Sequence, residues 1–222
     1  MNSPASAISS NTAKTDSVSN AHESLRDRKK RLTHQRICGA AGELFASQGV
    51  QNTTVDSIAA AAEISKPTFF NYFANKQAVL HALIEIMDAQ FIRYIEAEID
   101  QSNSTQVRIE NLMRRSATHI AKNSALTQIM LVEGMSGLAD QSTSTDRMAR
   151  LNSAMAQLVE AGRKQGDVNS QTAVTVQVQV LVGSYLYALL NWLSVENLDL
   201  FTTLEETATL LANALKPNTP AT

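Results

Sequence analysis

The sequence predicts an all-α protein, and three observations carry that prediction. Of 222 residues only 8 are Gly and 4 are Pro, too few for the corners of a sandwich or barrel. Apolar residues recur at helical spacing from Ile37 onward, and no alternating stretch is long enough to build a sheet. Hydrophobic residues at 44% and charged residues at 18% are globular proportions, sufficient for most of the chain to fold around a core.

Residues 1–25 are rich in Ser, Asn, Thr and Ala and read as a disordered tail. A first helix is expected over 33–48, where Ile37, Ala41, Leu44 and Phe45 share a face and Gly49 supplies a stop. Thr53 stands three residues before Asp56, a capping pattern that opens a short second helix with Val55, Ile58, Ala59 and Ala62 turned inward. Glu63-Ile64-Ser65 makes a tight connection, and Ser65 caps a third helix whose first turn tolerates Pro67. Phe69 and Phe73 are its inward pair. Leu80, Ile84, Met87, Phe91 and Ile95 mark a long fourth helix over 76–100, followed by periodic segments at 107–122 and 125–135. A polar loop is expected at 139–145. The next helix carries Met148, Leu151, Met155, Leu158 and Val159 and stops before Gly166. An uncharged helix over 171–194 precedes a last one over 204–215, with Thr202-Thr203-Leu204-Glu205 as its capping box.

Composition narrows the function. The single cysteine, Cys38, can form no intramolecular disulfide and no Cys-rich zinc site, and no secretory signal opens the chain, so the cytoplasm is the expected compartment. No metal and no cofactor are expected. The charge-free stretch from 168 to 195 has membrane-like hydropathy, but Gln171, Thr172, Thr175, Gln177, Gln179, Ser184 and Asn191 interrupt it, so it reads as a helix buried against protein. His34 and Cys38 lie four apart, as a thiol and a base would. No H-E-x-x-H, phosphate loop or G-x-S-x-G accompanies them, so the pair reads as incidental and the protein as no enzyme. The net charge of −2 hides an asymmetry: residues 26–81 carry +4 and residues 82–222 carry −5. A small basic module therefore precedes a larger acidic one, as when one end meets a polyanion.

Two short helices joined by a tight turn, the second opening Ser-Lys-Pro-Thr, fit a helix-turn-helix whose second member enters the DNA major groove. The string GVQNTTVDSIAAAAEISKPTFFNYFANKQAVL over 49–80 resembles the DNA-binding domain of the tetracycline-repressor-like (TetR) family of bacterial transcription regulators. Leu44-Phe45, Gly49, Thr53-Thr54-Val55, Ile58-Ala59, Ser65, Thr68-Phe69, Tyr72-Phe73 and Lys76 carry the resemblance. After the tail at 1–25, it implies a three-helix DNA-binding domain at 26–81 and a helical effector-binding and dimerisation domain at 82–222. It further implies that Lys66, Pro67 and Thr68 face base edges, while Thr54, Tyr72 and Lys76 hold backbone phosphates. Phe70 replaces the Tyr usual in the family and lacks its hydroxyl, leaving a thymine methyl as its alternative contact. Asn71 is either a base contact or simply exposed. Glu63 stands where Gly is common, which suggests a less sharply turned connection. The basic run Arg26, Arg28, Lys29, Lys30 and Arg31 is either a solvated charge run or an N-terminal arm on the DNA.

The resemblance also implies a homodimer on a palindromic operator of double-stranded DNA and a small-molecule effector, with no membrane association. Val174, Val178, Leu181, Tyr185, Ala188 and Trp192 follow helical spacing on the uncharged helix and, with Leu211 of the last helix, are the expected dimer interface. Candidate effector contacts are Phe91, Tyr94, Met113, His119, Met130, Met148, Met155 and Trp192, aromatic and Met side chains suited to a mainly apolar ligand. The most direct function is a repressor released by its effector. The alternative is a DNA-binding protein of the same fold that acts through a protein partner, and sequence separates neither that nor a repressor from an activator.

Overall fold

A computed structural model describes residues 24–136 and 141–217. Among these residues the chain forms nine helices and no strand: α1 (Leu25–Asn52), α2 (Val55–Ala61), α3 (Lys66–Phe70), α4 (Lys76–Ile99), α5 (Thr105–Lys122), α6 (Ser124–Ser136), α7 (Gln141–Gln165), α8 (Val174–Ser194) and α9 (Leu200–Leu215). Two apolar cores organise them. The first gathers Ile37, Ala41 and Phe45 of α1, Ile58 of α2, Phe69 of α3, Phe73, and Val79, Leu80 and Ile84 of α4. The second is built where α4, α5, α7, α8 and α9 meet around Ile95, Leu112, Met113, Met155, Leu158, Leu181 and Leu204. The long helix α4 belongs to both.

The expected elements are present, with boundaries moved by hydrogen bonds that sequence spacing does not display. Helix α1 starts eight residues before the expected start, because the Asp27 amide donates to the Ser24 hydroxyl at 3.1 Å and caps it. The basic run is therefore helical, and the expected tail lies outside the described residues except for 24 and 25. Gly49 does interrupt α1, at φ 79°. The cap of α2 is Thr54, one residue after the expected Thr53, paired reciprocally with Ser57. Thr53 is instead buried, its hydroxyl donating to the Gly49 carbonyl at 2.8 Å. Where a loop was expected at 139–145 the backbone is helical from Gln141; Ser and Thr are middling helix formers, and the stretch holds no Gly or Pro to stop it. Residues 139 and 140 lie outside the described residues.

Helix α8 begins at Val174, three residues late, because the preceding turn is tied elsewhere. Arg163 donates to the Thr172 carbonyl and to Gln177 Oε1, and Gln177 Nε2 donates to the Asn169 carbonyl at 2.8 Å. Helix α9 begins at Leu200, ahead of the expected Thr202–Glu205 box. Asp199 accepts from the Phe201 amide at 3.0 Å and the Thr202 hydroxyl at 2.6 Å, and these bonds, the Thr202 hydroxyl first, hold its carboxyl below the usual carboxylate range.

The turn between α2 and α3 is as sharp as a glycine would make it. Glu63 adopts the left-handed conformation at φ 53°, and the Ile64 amide reaches back to the Ala59 carbonyl at 3.0 Å. Arg36 of α1 braces it by donating to the Ala62 and Glu63 carbonyls. The expectation of a gentler connection is thus overturned, and a side chain bears the left-handed strain. Glu63→Gly is expected to stabilise the fold by about 1 kcal/mol, net of the lost exposed Arg36 pair. A thermal melt in which this variant unfolds at or below the parent midpoint would contradict that account of the turn.

Candidate nucleic-acid interface and effector cavity

Five residues are too few to hold a helix by their own hydrogen bonds, so α3 exists because of its caps and its inward side. The Thr68 amide donates to the Ser65 hydroxyl at 3.2 Å, Pro67 needs no amide partner in the first turn, and Phe69 is fully buried. Phe73 closes the same side, its ring centroid 6.0 Å from that of Phe69. Everything else on the helix is turned outward. Lys66 and Pro67 are exposed, Thr68 is partly so, and Phe70 is 50% exposed and edge-on to Phe69. Asn71 follows as an exposed C-cap.

The remaining expected DNA contacts are arranged less simply. Thr54 is exposed, but its hydroxyl is engaged in the α2 cap. Tyr72 is half-buried against the first core. Lys76 donates to the carbonyls of Val50, Gln51 and Thr53 at 2.7, 3.1 and 2.8 Å, which uses all three ammonium protons. Its role in this structure is to fasten the end of α1 to the start of α4, and a phosphate would have to displace one of those carbonyls. Lys66 is also engaged, 2.9 Å from a carboxylate oxygen of Asp56 on α2. Both groups are solvated, so the pair is weak and exchangeable. Asp56 and Arg36 were missed as functional positions because their partners lie on other elements.

A second feature lies between the two cores. Met87, Phe91 and Ile92 of α4, Met130 and Leu131 of α6, Met148 and Leu151 of α7, and Tyr185, Leu186 and Leu189 of α8 line a cavity of about 110 Å³. Phe91 and Tyr185 stack within it at 4.7 Å, and the Tyr185 hydroxyl shares a 2.7 Å hydrogen bond with Ser116. Burial pushes the Tyr185 phenol up to about 12, so it stays neutral. The one charged pair on the wall is Arg147 and Asp88, joined twice at 2.5 and 3.1 Å, with Arg147 also donating to the Gly134 carbonyl at 3.2 Å. Sequence reading missed both, although a carboxylate four residues after inward Ile84 was a usable signal.

Of the eight candidate effector contacts, Phe91, Met130 and Met148 line this cavity and the other five do not. Met113 and Met155 are buried in the second core, and Trp192 packs partly buried against it. Tyr94 and His119 meet edge-on at 6.5 Å away from the cavity wall. The expected dimer interface also needs correction. Val178, Leu181, Tyr185, Ala188 and Leu211 are buried within their own chain, and Val174 and Trp192 pack against that core, so this stripe serves the fold. The outward stripe of α8 is Val176, Val180, Gly183 and Tyr187. Helix α8 is long and apolar enough to cross a membrane, yet its inner side packs on α7 and α9. Cys38 is buried with its sulfur 3.8 Å from His34 Nδ1, and burial raises the thiol to about 11, so it is no nucleophile near pH 7.

A capped, outward-facing short helix after a braced turn has the geometry of a helix-turn-helix, and it is carried on a helical body that holds an apolar cavity. Residues 37–83 match the family described as "Bacterial regulatory proteins, tetR family". The chain is 39% identical over 82 residues to the HTH-type transcriptional regulator TcmR of Streptomyces glaucescens, covering 37% of this chain and 36% of that protein. It is 27% identical over 108 residues to the nucleoid occlusion factor SlmA of Haemophilus ducreyi, covering 49% and 52%. The matches thus span between about a third and a half of these curated relatives. Across nearly the whole fold, the chain is similar to Thermus thermophilus FadR, a TetR-family transcriptional repressor solved in complex with lauroyl-CoA. That similarity has a TM-score of 0.63 at 27% identity, covering 85% of this chain and 98% of that one. Residues 37–83 are thus similar to the DNA-binding domain of TetR-family regulators, and the fold as a whole is similar to that of a TetR-family repressor.

A DNA contact by Lys66 would have to displace Asp56. Asp56→Asn is expected to tighten binding to any duplex several-fold at low salt while reducing discrimination between sequences. Unchanged affinity in a fluorescence-anisotropy titration would show that the pair has no such influence.

Proposed function

We propose that the protein is a homodimeric repressor that reads a palindromic operator through α3 and is released when a mainly apolar small molecule enters the cavity between its two cores. The observation that carries the DNA reading is the division of α3: Phe69 holds the helix down while Lys66, Pro67, Thr68, Phe70 and Asn71 face outward. Lys66 can donate to guanine O6 and N7, and the apolar parts of Pro67, Thr68 and Phe70 suit a thymine methyl.

The cavity supports an effector because its wall is shared by helices of both cores. Helix α4 continues from the DNA-binding module, and α6 lies so close to α1 that a Cβ on Gly42 would stand 3.2 Å from Leu126. A ligand that separates α4, α6 and α7 would therefore alter the support of α1, and only a difference in its affinity for the two arrangements can shift the equilibrium. The space suits a small ring or short alkyl chain, and four lining methionines, at 87, 130, 135 and 148, can rearrange for something longer. Thermus thermophilus FadR in complex with lauroyl-CoA makes that compound the first probe. The likeness to a nucleoid occlusion factor favours the alternative of a protein partner; the apolar cavity weighs toward the effector.

In a mobility shift on the protein's own upstream DNA, specific binding is expected and should be lost in Lys66→Ala with Thr68→Ala. Lauroyl-CoA or laurate should release the wild-type complex. Binding that survives the double substitution would remove α3 from the reading, and release by neither probe would move the effector elsewhere in chemistry.

For pairing, the outward stripe of α8 at 176, 180, 183 and 187 has the 4-3-4 spacing of a helix-packing seam, with open space around Gly183. Tyr187, 69% exposed in the single chain, is its largest member. Tyr187→Glu is expected to shift the protein from dimer to monomer in sedimentation velocity with its helix content intact. A variant that still sediments as a dimer would place the seam on another surface.

A further inference from the structure

The first turns of α1 bury none of their side chains. Residues 24–32 are all exposed, yet the helix continues through them with Arg26, Arg28, Lys29, Lys30 and Arg31 in sequence. Asp27 is the one acidic residue there, and it is held by the cap: its carboxylate accepts from the Ser24 hydroxyl at 2.6 Å. Arg26 faces Lys29 and Lys30 at spacings of three and four, where like charges repel and weaken a helix. Helicity survives because the stretch extends a helix already nucleated and packed through Ile37, Ala41 and Phe45. A cationic stalk that works against its own stability is relieved when a polyanion lies beside it.

Its position identifies the polyanion. Where α1 enters the core, the His34 ring meets the Phe73 ring at 4.8 Å, just beyond the end of α3. Two residues later Arg36 holds the Ala62 and Glu63 carbonyls, at the turn that leads into α3. Helix α1 thus flanks both ends of the recognition element, and the stalk departs from that point. At about 1.5 Å per residue, Lys30 to Arg26 lie about 6 to 12 Å along the axis from His34. Residues 82–222, by contrast, carry a net charge of −5.

We propose that this helical stalk is a second DNA-binding surface, which lays Arg26, Lys29 and Lys30, the three that share a helix face, against the phosphates beside each half-site. Of the two readings the sequence leaves open, a solvated charge run and an N-terminal arm, it takes the second and gives it the form of a rigid rod. Phosphate contacts carry no sequence information, so the stalk strengthens operator and unrelated duplex alike and leaves discrimination to α3. The inference rests on the DNA-binding reading above and adds to it a separate electrostatic component.

The test is the salt dependence of binding for the full chain, for Arg26→Gln with Arg28→Gln, Lys29→Gln and Lys30→Gln, and for a second variant lacking residues 1–31. Each lost phosphate contact lowers the slope of log affinity against log salt by about 0.9, so a fall of about 2 or more is expected. Operator and unrelated duplex should weaken by the same factor, with a melting midpoint for the Gln variant no lower than the parent's. An unchanged slope in both variants would overturn the proposal, as would a loss confined to the operator, which would signal base contacts. If the wild-type chain binds no duplex at any salt, the regulator reading falls and this surface with it. If Lys66→Ala with Thr68→Ala loses specificity while the Gln variant keeps the parent slope, only the stalk is refuted.

Discussion

The burial of Phe69 is the constraint on which the DNA-binding end depends. A five-residue helix is far too short to persist alone, and its outward side chains contribute little to holding it. Phe69, with Phe73, fixes α3 against Ile37, Ala41 and Phe45 of α1, and Ser65 caps its first turn. Removing a fully buried Phe ring costs about 3 to 5 kcal/mol in comparable cores. That cost would fall on a small module and would loosen the surface that carries Lys66, Pro67 and Thr68. Helix α3 is positioned by its hydrophobic side, which turns outward the polar side proposed to read DNA.

The same economy extends along α4. This helix contributes Val79, Leu80 and Ile84 to the first core and Ile95 to the second, so the two ends of the molecule share one rigid rod. The Arg147 and Asp88 pair, tied also to the Gly134 carbonyl, joins α4, α6 and α7 at the cavity between the cores. Lys76 fastens the start of the rod to the end of α1 through three carbonyls. A displacement at the cavity therefore meets few compliant joints before it reaches the DNA-binding module.

Much of this was legible in the sequence where the deciding interactions are local. Ser65 as a cap, Phe69 and Phe73 as the inward pair and Gly49 as an interruption are all set within a turn or two of chain. The parts that were not legible depend on contacts between distant segments. Lys76 was expected to hold a phosphate, and its three carbonyl acceptors at the end of α1 leave no sign in local spacing. Helix α8 carries two apolar stripes of the same spacing, at 174, 178, 181, 185, 188 and 192 and at 176, 180, 183 and 187. Periodicity finds both and cannot say which one faces the chain's own core. The cavity suffered likewise: Phe91, Met130 and Met148 were found by residue type, while Asp88 and Arg147 acquire meaning only as a pair 59 residues apart.

The central claim is that α3 chooses the DNA sequence. Selection of preferred sites from a random duplex pool by the intact protein tests it most directly, run beside the same selection with Lys66→Ala. The expected result is an enriched inverted repeat for the parent, and for the variant the same repeat with preference relaxed at one symmetry-related base pair in each half. An identical motif from both proteins, or no enriched motif from a folded parent, would contradict the claim.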